Sequence, residues 1–128
     1  MRRVLLDTHT LLWWLGDDPR LGPDARTIIA DERNDAFVSA VSSWEISIKK
    51  SLGKLEAPAD LGAIIEDEGF SPLAITLFHG ERAGSLAQLH RDPFDRMLVA
   101  QAQAEGLELI TADARLAEYG VRTVNALR

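Results

Sequence analysis

PFDRMLVAQAQAEGLELIT, residues 93–111, decides the fold. Pro93 suits the first position of a helix, and the run MLVAQAQA behind it is apolar around most of a helical circumference. Gly106 is a natural stop, which predicts a helix over 93–106. LELIT (107–111) follows at once as a short apolar run of strand length. A helix apolar on nearly every side must be buried, and a strand without polar alternation must be covered on both faces. Helix and strand together predict a mainly parallel sheet with helices packed on either side.

Outward from this unit the same alternation repeats. RRVLLD (2–7) reads as a buried strand ending in an aspartate, and THTLLWWLG (8–16) as a helix closed by Gly16. Pro23 opens a helix to about Arg33, AFVSA (36–40) is a strand, and SSWEISIKKSLGK (42–54) a helix. Helices over 60–69 and 78–89 bracket the strand SPLAIT (71–76). A short helical turn over DARLAEYG leads to a last strand, VRTVNA (121–126). There is no internal repeat or linker, so 1–128 is expected to be a single domain with a real core. In folds of this class ligands gather at the carboxyl ends of the strands.

Composition narrows the function. The chain is 46% hydrophobic and 27% charged, an ordinary globular balance. Without cysteine it has neither disulfides nor thiolate metal sites, which fits a reducing cytoplasm. The opening MRRVLLDTHTLLWWLG resembles a signal peptide only superficially, since Asp7, His9 and two threonines interrupt it. No stretch is long enough to span a membrane. A net charge of −6 argues against a general nucleic-acid coat, while leaving room for a local basic patch beside an acidic pocket.

Four carboxylates stand out, each with a structural duty beside a chemical one. Asp7 and Asp113 sit at strand ends, where an aspartate can serve a site or merely cap the next helix. Glu45 fits a capping box with Ser42 and can pair with Lys49 one turn on. On that helix Val41, Trp44, Ile48 and Leu52 are expected to form the buried face, with Glu45 at its border. Asp92 before Pro93 is a good cap, and Asp95 stands at the third helical position, where negative charge suits the helix end. Asp7, Glu45, Asp95 and Asp113 could converge. Such a cluster repels itself unless a cation is present, and hard oxygen donors suit Mg²⁺ or Mn²⁺. A site of that kind can activate water against a phosphodiester.

The segments VLLDTHTLLWWL, VSAVSSWEISIKKSLGKL, LHRDPFDRMLVAQA and LITADARLAEYGV carry a resemblance to the PIN-domain ribonucleases, specifically the VapC-like toxins of bacterial toxin–antitoxin pairs. It runs from residue 4 to about 121. It implies a three-layer α/β/α fold and Mg²⁺- or Mn²⁺-dependent cleavage of RNA, leaving 5′-phosphate and 3′-hydroxyl ends. By the resemblance Asp7 is the first acid, Glu45 the second, Asp95 the third and Asp113 the fourth, with Asp7 and Asp95 as main metal ligands. Asp92 then positions the helix, and Thr111 orients Asp113 or a water. His9 stands where many relatives have a small polar residue, and is read as fixing a loop or touching substrate. His79 and His90 are expected at the surface. Lys49, Lys50 or Arg96 are candidates for holding the RNA backbone. The resemblance also implies a cognate antitoxin that blocks the site and a homodimer, for which Trp13, Trp14 and Trp44 offer apolar anchors.

Other classes fit less well. A phosphoacceptor receiver domain expects paired acids after the first strand and a lysine near the last; here Asp7 stands alone and VRTVNA has no lysine. An aspartyl phosphatase expects a second aspartate where His9 stands. A catalytically inert PIN-fold interaction module is the remaining alternative, and the presence of all four acids counts against it.

Overall fold

The computed structural model describes residues 1–128. Five strands, β1 (Arg3–Leu6), β2 (Asp35–Ser39), β3 (Ser71–Leu73), β4 (Glu108–Thr111) and β5 (Thr123–Asn125), form one sheet in the order β3-β2-β1-β4-β5. Every pairing is parallel. The helices are α1 (Thr8–Leu15), α2 (Pro23–Ala30), α3 (Ala40–Ser51), α4 (Leu61–Asp67), α5 (Leu77–Ser85) and α6 (Pro93–Glu105), with a 3₁₀ turn at Ala114–Tyr119.

Two apolar layers explain why the central strands lack alternation. Val4 and Leu6 of β1 face a cluster with Leu11, Trp13, Ala25, Ile29 and Phe70, supplied largely by α1 and α2. Leu5 faces the opposite cluster with Leu98, Val99, Ala102, Leu107 and Leu116, supplied largely by α6. Parallel strands buried on both sides need apolar residues at every position. The expected three-layer α/β/α arrangement is therefore present, and α6 is buried along Leu98–Ala102.

The ends of several elements differ from expectation for local reasons. β3 stops at Leu73, because Thr76 caps α5 by accepting the His79 N–H, which takes residue 76 out of the strand. α2 stops at Ala30, since Asp31 folds a turn over Arg33 and Asn34. Val121 is buried core outside the last strand.

Gly22, the cap of α2, is a point of close approach. Its N–H donates to Ala126 O at 2.8 Å, and a Cβ there would lie 2.3–2.4 Å from backbone atoms of Arg128. Gly22→Ala is expected to destabilise by more than about 1 kcal/mol, read as a fall in melting temperature.

The sheet order places β1 between strands that run outward in both directions. β1 and β4 are neighbours whose following segments leave to opposite faces, opening a crevice at their carboxyl ends. Asp7 follows β1 directly, and Asp113 lies two residues beyond β4.

Candidate active site

A cleft of about 490 Å³ opens at this crevice, lined by Asp7, Thr8, His9, Trp13, Arg20, Glu45, Lys49, Asp92, Asp95, Ala112 and Asp113. All four sequence-predicted acids therefore line one cavity. A larger cavity, bounded by Val38, Ile65, Phe70 and Leu73, is apolar and holds none of them.

Each acid is placed by its own segment. Asp7 caps α1, its Oδ1 accepting the Thr10 N–H at 2.8 Å, while its own N–H donates to Ile110 O and ties β1 to β4. Asp92 caps α6 by accepting the Phe94 and Asp95 N–H groups. With Pro93 at the first position, Asp95 stands third in the helix, as the sequence predicted. Asp113 caps the 3₁₀ turn, and its N–H donates to the Thr111 hydroxyl at 3.0 Å, so Thr111 does hold that segment.

α3 departs from expectation. The cap is Ser39, not Ser42: its hydroxyl accepts the Val41 N–H, and the helix starts at Ala40. Glu45 thus lies in the second turn and forms no capping box. It is 4% exposed, accepts the Thr8 hydroxyl at 2.7 Å, and pairs with Lys49. The buried Ser42 hydroxyl in turn donates to Thr8 Oγ1 at 3.0 Å. The buried face of α3 is Val41, Ser42, Glu45 and Ile46, about a quarter turn from the expected arc at 100° per residue. Trp44 is 58% exposed, meeting the Phe94 ring edge-on at 5.2 Å, and Leu52 is exposed too.

Neither histidine expected at the surface is exposed: His79 is buried and His90 is partly buried. His79 sits inside the protein, donating from Nε2 to Glu105 while Nδ1 accepts the Thr76 N–H. His90 is folded back by its own backbone, Nδ1 accepting the Asp92 N–H at 3.2 Å. Nε2 then faces Asp113 Oδ2 at 3.2 Å and Asp95 Oδ2 at 3.6 Å, with Arg115 Nη2 3.1 Å away. His90, Asp95 and Asp113 present ligand atoms within 4.8 Å of one another. The sequence signal was slight: a histidine two residues before a capping aspartate is placed to accept that residue's N–H.

The basic candidates separate. Lys49 lines the cleft, but its ammonium is committed to Glu45. Lys50 bonds to Pro58 O outside the cleft. Arg96 spends its guanidinium on the Ala83, Leu86 and Ala87 carbonyls. Two further cations, not singled out from sequence, stand at the cleft: Arg20 lines it while bonding Asp18, and Arg115 meets Asp113. Arg115 grips Asp113 through Nε (3.0 Å) and Nη2 (2.9 Å).

The electrostatics sort the acids. Burial, with Asp92 and Asp7 beside it, pushes the Asp95 carboxyl up to about 7. The Arg115 side chain holds Asp113 down at about 2. The charges beside Asp95 are mostly negative, with His90 alone opposing them, whereas Asp113 receives donors from both Arg115 and His90.

Residues 4–121 match the PIN domain family. The chain belongs to that family. Among its relatives in this PIN group is ribonuclease VapC22 of Mycobacterium tuberculosis, 27% identical over 122 residues and 93% of each chain. Ribonuclease VapC16 of the same organism is 41% identical over 69 residues, covering 48% of this chain and about half, 49%, of that protein. The PIN fold is matched by the VapBC2 structure from Rickettsia felis bound to a promoter DNA fragment, with a TM-score of 0.72 at 16% identity and coverage of 96% and 98%.

Proposed function

We propose that the chain, as a single PIN domain over residues 1–128, is a metal-dependent endoribonuclease and the toxin of a toxin–antitoxin pair. The observation that carries this reading is Asp95. Its carboxyl is pushed up to about 7 in a cleft that also holds Asp7, Asp92 and Glu45. A fold that collects buried carboxylates without enough positive charge is completed by a hard cation, and the all-oxygen set fits Mg²⁺ or Mn²⁺. Asp7 and Asp95 would hold it, with Glu45 and Asp113 completing the site directly or through water. When bound, the cation supplies an acidified water and a positive charge at the phosphate for in-line hydrolysis.

The chain's own residues have separable tasks in this reading. Thr8 and Lys49 fix Glu45 and offset its charge. Asp92 sets the start of α6 and so aims Asp95. Thr111 and His90 orient Asp113.

Partners follow from kinship. A solved relative is a VapBC complex, which supports a cognate antitoxin here, with a homodimer and a cytoplasmic setting as further proposals. No helix is long and apolar enough to cross a membrane. The test is incubation of the purified protein with an RNA pool in Mn²⁺ and Mg²⁺. Cleavage leaving 5′-phosphate and 3′-hydroxyl ends, abolished by chelation and restored by either cation, is the expected result. Cyclic phosphate ends would contradict the mechanism, and intact RNA without any metal-induced shift in melting would leave the inert PIN-fold module.

A further inference from the structure

One flank of the acidic cleft is built from planar side chains. His9 and Trp13 lie one turn apart on α1, on the same helix face, with ring centroids 6.2 Å apart and planes tilted by 47°. Arg20 returns from the loop after α1 and lays its guanidinium over the Trp13 ring, 5.0 Å from the centroid. All three line the cleft with Asp7 and Asp95.

The arrangement is held in place. Asp18 accepts Arg20 Nε at 3.0 Å and Nη2 at 2.7 Å, and neither bond uses Nη1. Asp18 also accepts the Arg20 backbone N–H, and its own N–H donates to Trp13 O. Arg26 clamps the loop from below, donating to the Asp18 and Leu21 carbonyls and to the Asp17 carboxylate. Trp13 covers only one face of the guanidinium, and the Arg20 side chain remains 66% exposed. The His9 ring is exposed as well. A surface arginine paired only with a neighbouring aspartate needs neither this clamp nor an aromatic base beneath it.

Unpaired bases stack on aromatic rings and on arginine planes, and such platforms accept any base because each has a π-face. We propose that Arg20, Trp13 and His9 form a nucleotide subsite that stacks an unpaired base of the RNA beside the acidic centre. The subsite rests on the nuclease reading above and specifies its substrate: a single strand, entered by a base whose neighbouring phosphate reaches the acids. Nη1, which neither Asp18 bond uses, is the donor left for that base or its phosphate. Preorganisation by Asp18 and Arg26 reduces the ordering cost of binding.

The test measures fluorescence anisotropy of a short labelled single-stranded RNA of mixed sequence, with Ca²⁺ replacing Mg²⁺. Arg20→Ala is expected to weaken binding about tenfold and His9→Ala several-fold, in line with losses seen on removing stacking groups. Arg20→Lys keeps the charge but loses the plane, so its affinity should stay low. Its melting temperature and Mn²⁺ response should match the parent, since Arg20 touches none of the four acids. Duplex RNA of the same sequence should bind more weakly. Full rescue by lysine, equal binding of duplex, or unchanged affinity in every variant would each overturn the subsite while leaving the nuclease reading standing. A parent protein that neither binds nor cleaves any RNA would remove both.

Discussion

Asp95→Asn makes the metal-free protein more stable at pH 8, by about 2 kcal/mol, and abolishes its response to Mn²⁺. The sign follows from the direction of the Asp95 shift. Its folded-state pKa, about 7, lies above the ordinary value of 3.8, so between those values the native state binds a proton that the unfolded chain does not. Stability therefore falls as pH rises through this window and is lowest once Asp95 is ionised. A rise from 3.8 to about 7 corresponds to roughly 4 kcal/mol, and halving it allows for solvent reaching a side chain that is 26% exposed. Asparagine keeps the shape and sheds the charge. For a chain of this length the expected rise in melting temperature is about 5–8 °C in chelator.

Adding Mn²⁺ reverses the order. The parent gains about 2.7 kcal/mol at a hundredfold excess over its dissociation constant, and the variant gains little. Below pH 7 the parent's affinity should fall, because the cation must displace the Asp95 proton. Asp113 does not blur this pattern. Held at about 2 chiefly by Arg115, it contributes stability that is complete above its ordinary pKa and lost only as pH falls through its folded value. Parallel melting curves for parent and variant across pH 4 to 8, with equal Mn²⁺ responses, would return Asp95 to helix capping.

How far the sequence could be read depends on what each residue faces. β1, β4 and α6 were legible because they are covered by apolar layers, so hydrophobicity and burial coincide. Asp7, Asp92 and Asp95 were legible because helix ends impose local rules that the chain obeys. α3 broke the pattern where the site begins. It turns Ser42 and Glu45 inward to meet Thr8 and leaves Trp44 outside, so its apolar arc points away from its buried face. Buried polarity at the candidate site defeats a rule built on hydrophobicity. His90 and Arg96 failed for a different reason. Their partners, Asp113 and the carbonyls at the end of α5, come together only in the folded chain.

Asp7→Asn should cost cleavage on the order of 10³-fold while preserving the fold, since a cation interaction worth several kcal/mol is weakened at the reacting phosphate. Asp7 has two duties, and the substitution separates them. Capping needs only an oxygen for the Thr10 N–H, which the asparagine carbonyl retains, and the backbone bond to Ile110 is untouched. Charge at the centre is lost. Because Asp7 helps to push the Asp95 carboxyl upward, removing its charge should also lower the Asp95 pKa, seen by NMR titration of the metal-free protein. These two readouts move together only if the carboxylates share one electrostatic site. Lost cleavage with an unmoved Asp95 titration would make Asp7 a structural cap whose loss disturbs the cleft at a distance. A lowered Asp95 pKa with cleavage intact would leave Asp7 a neighbour of the metal site rather than part of it.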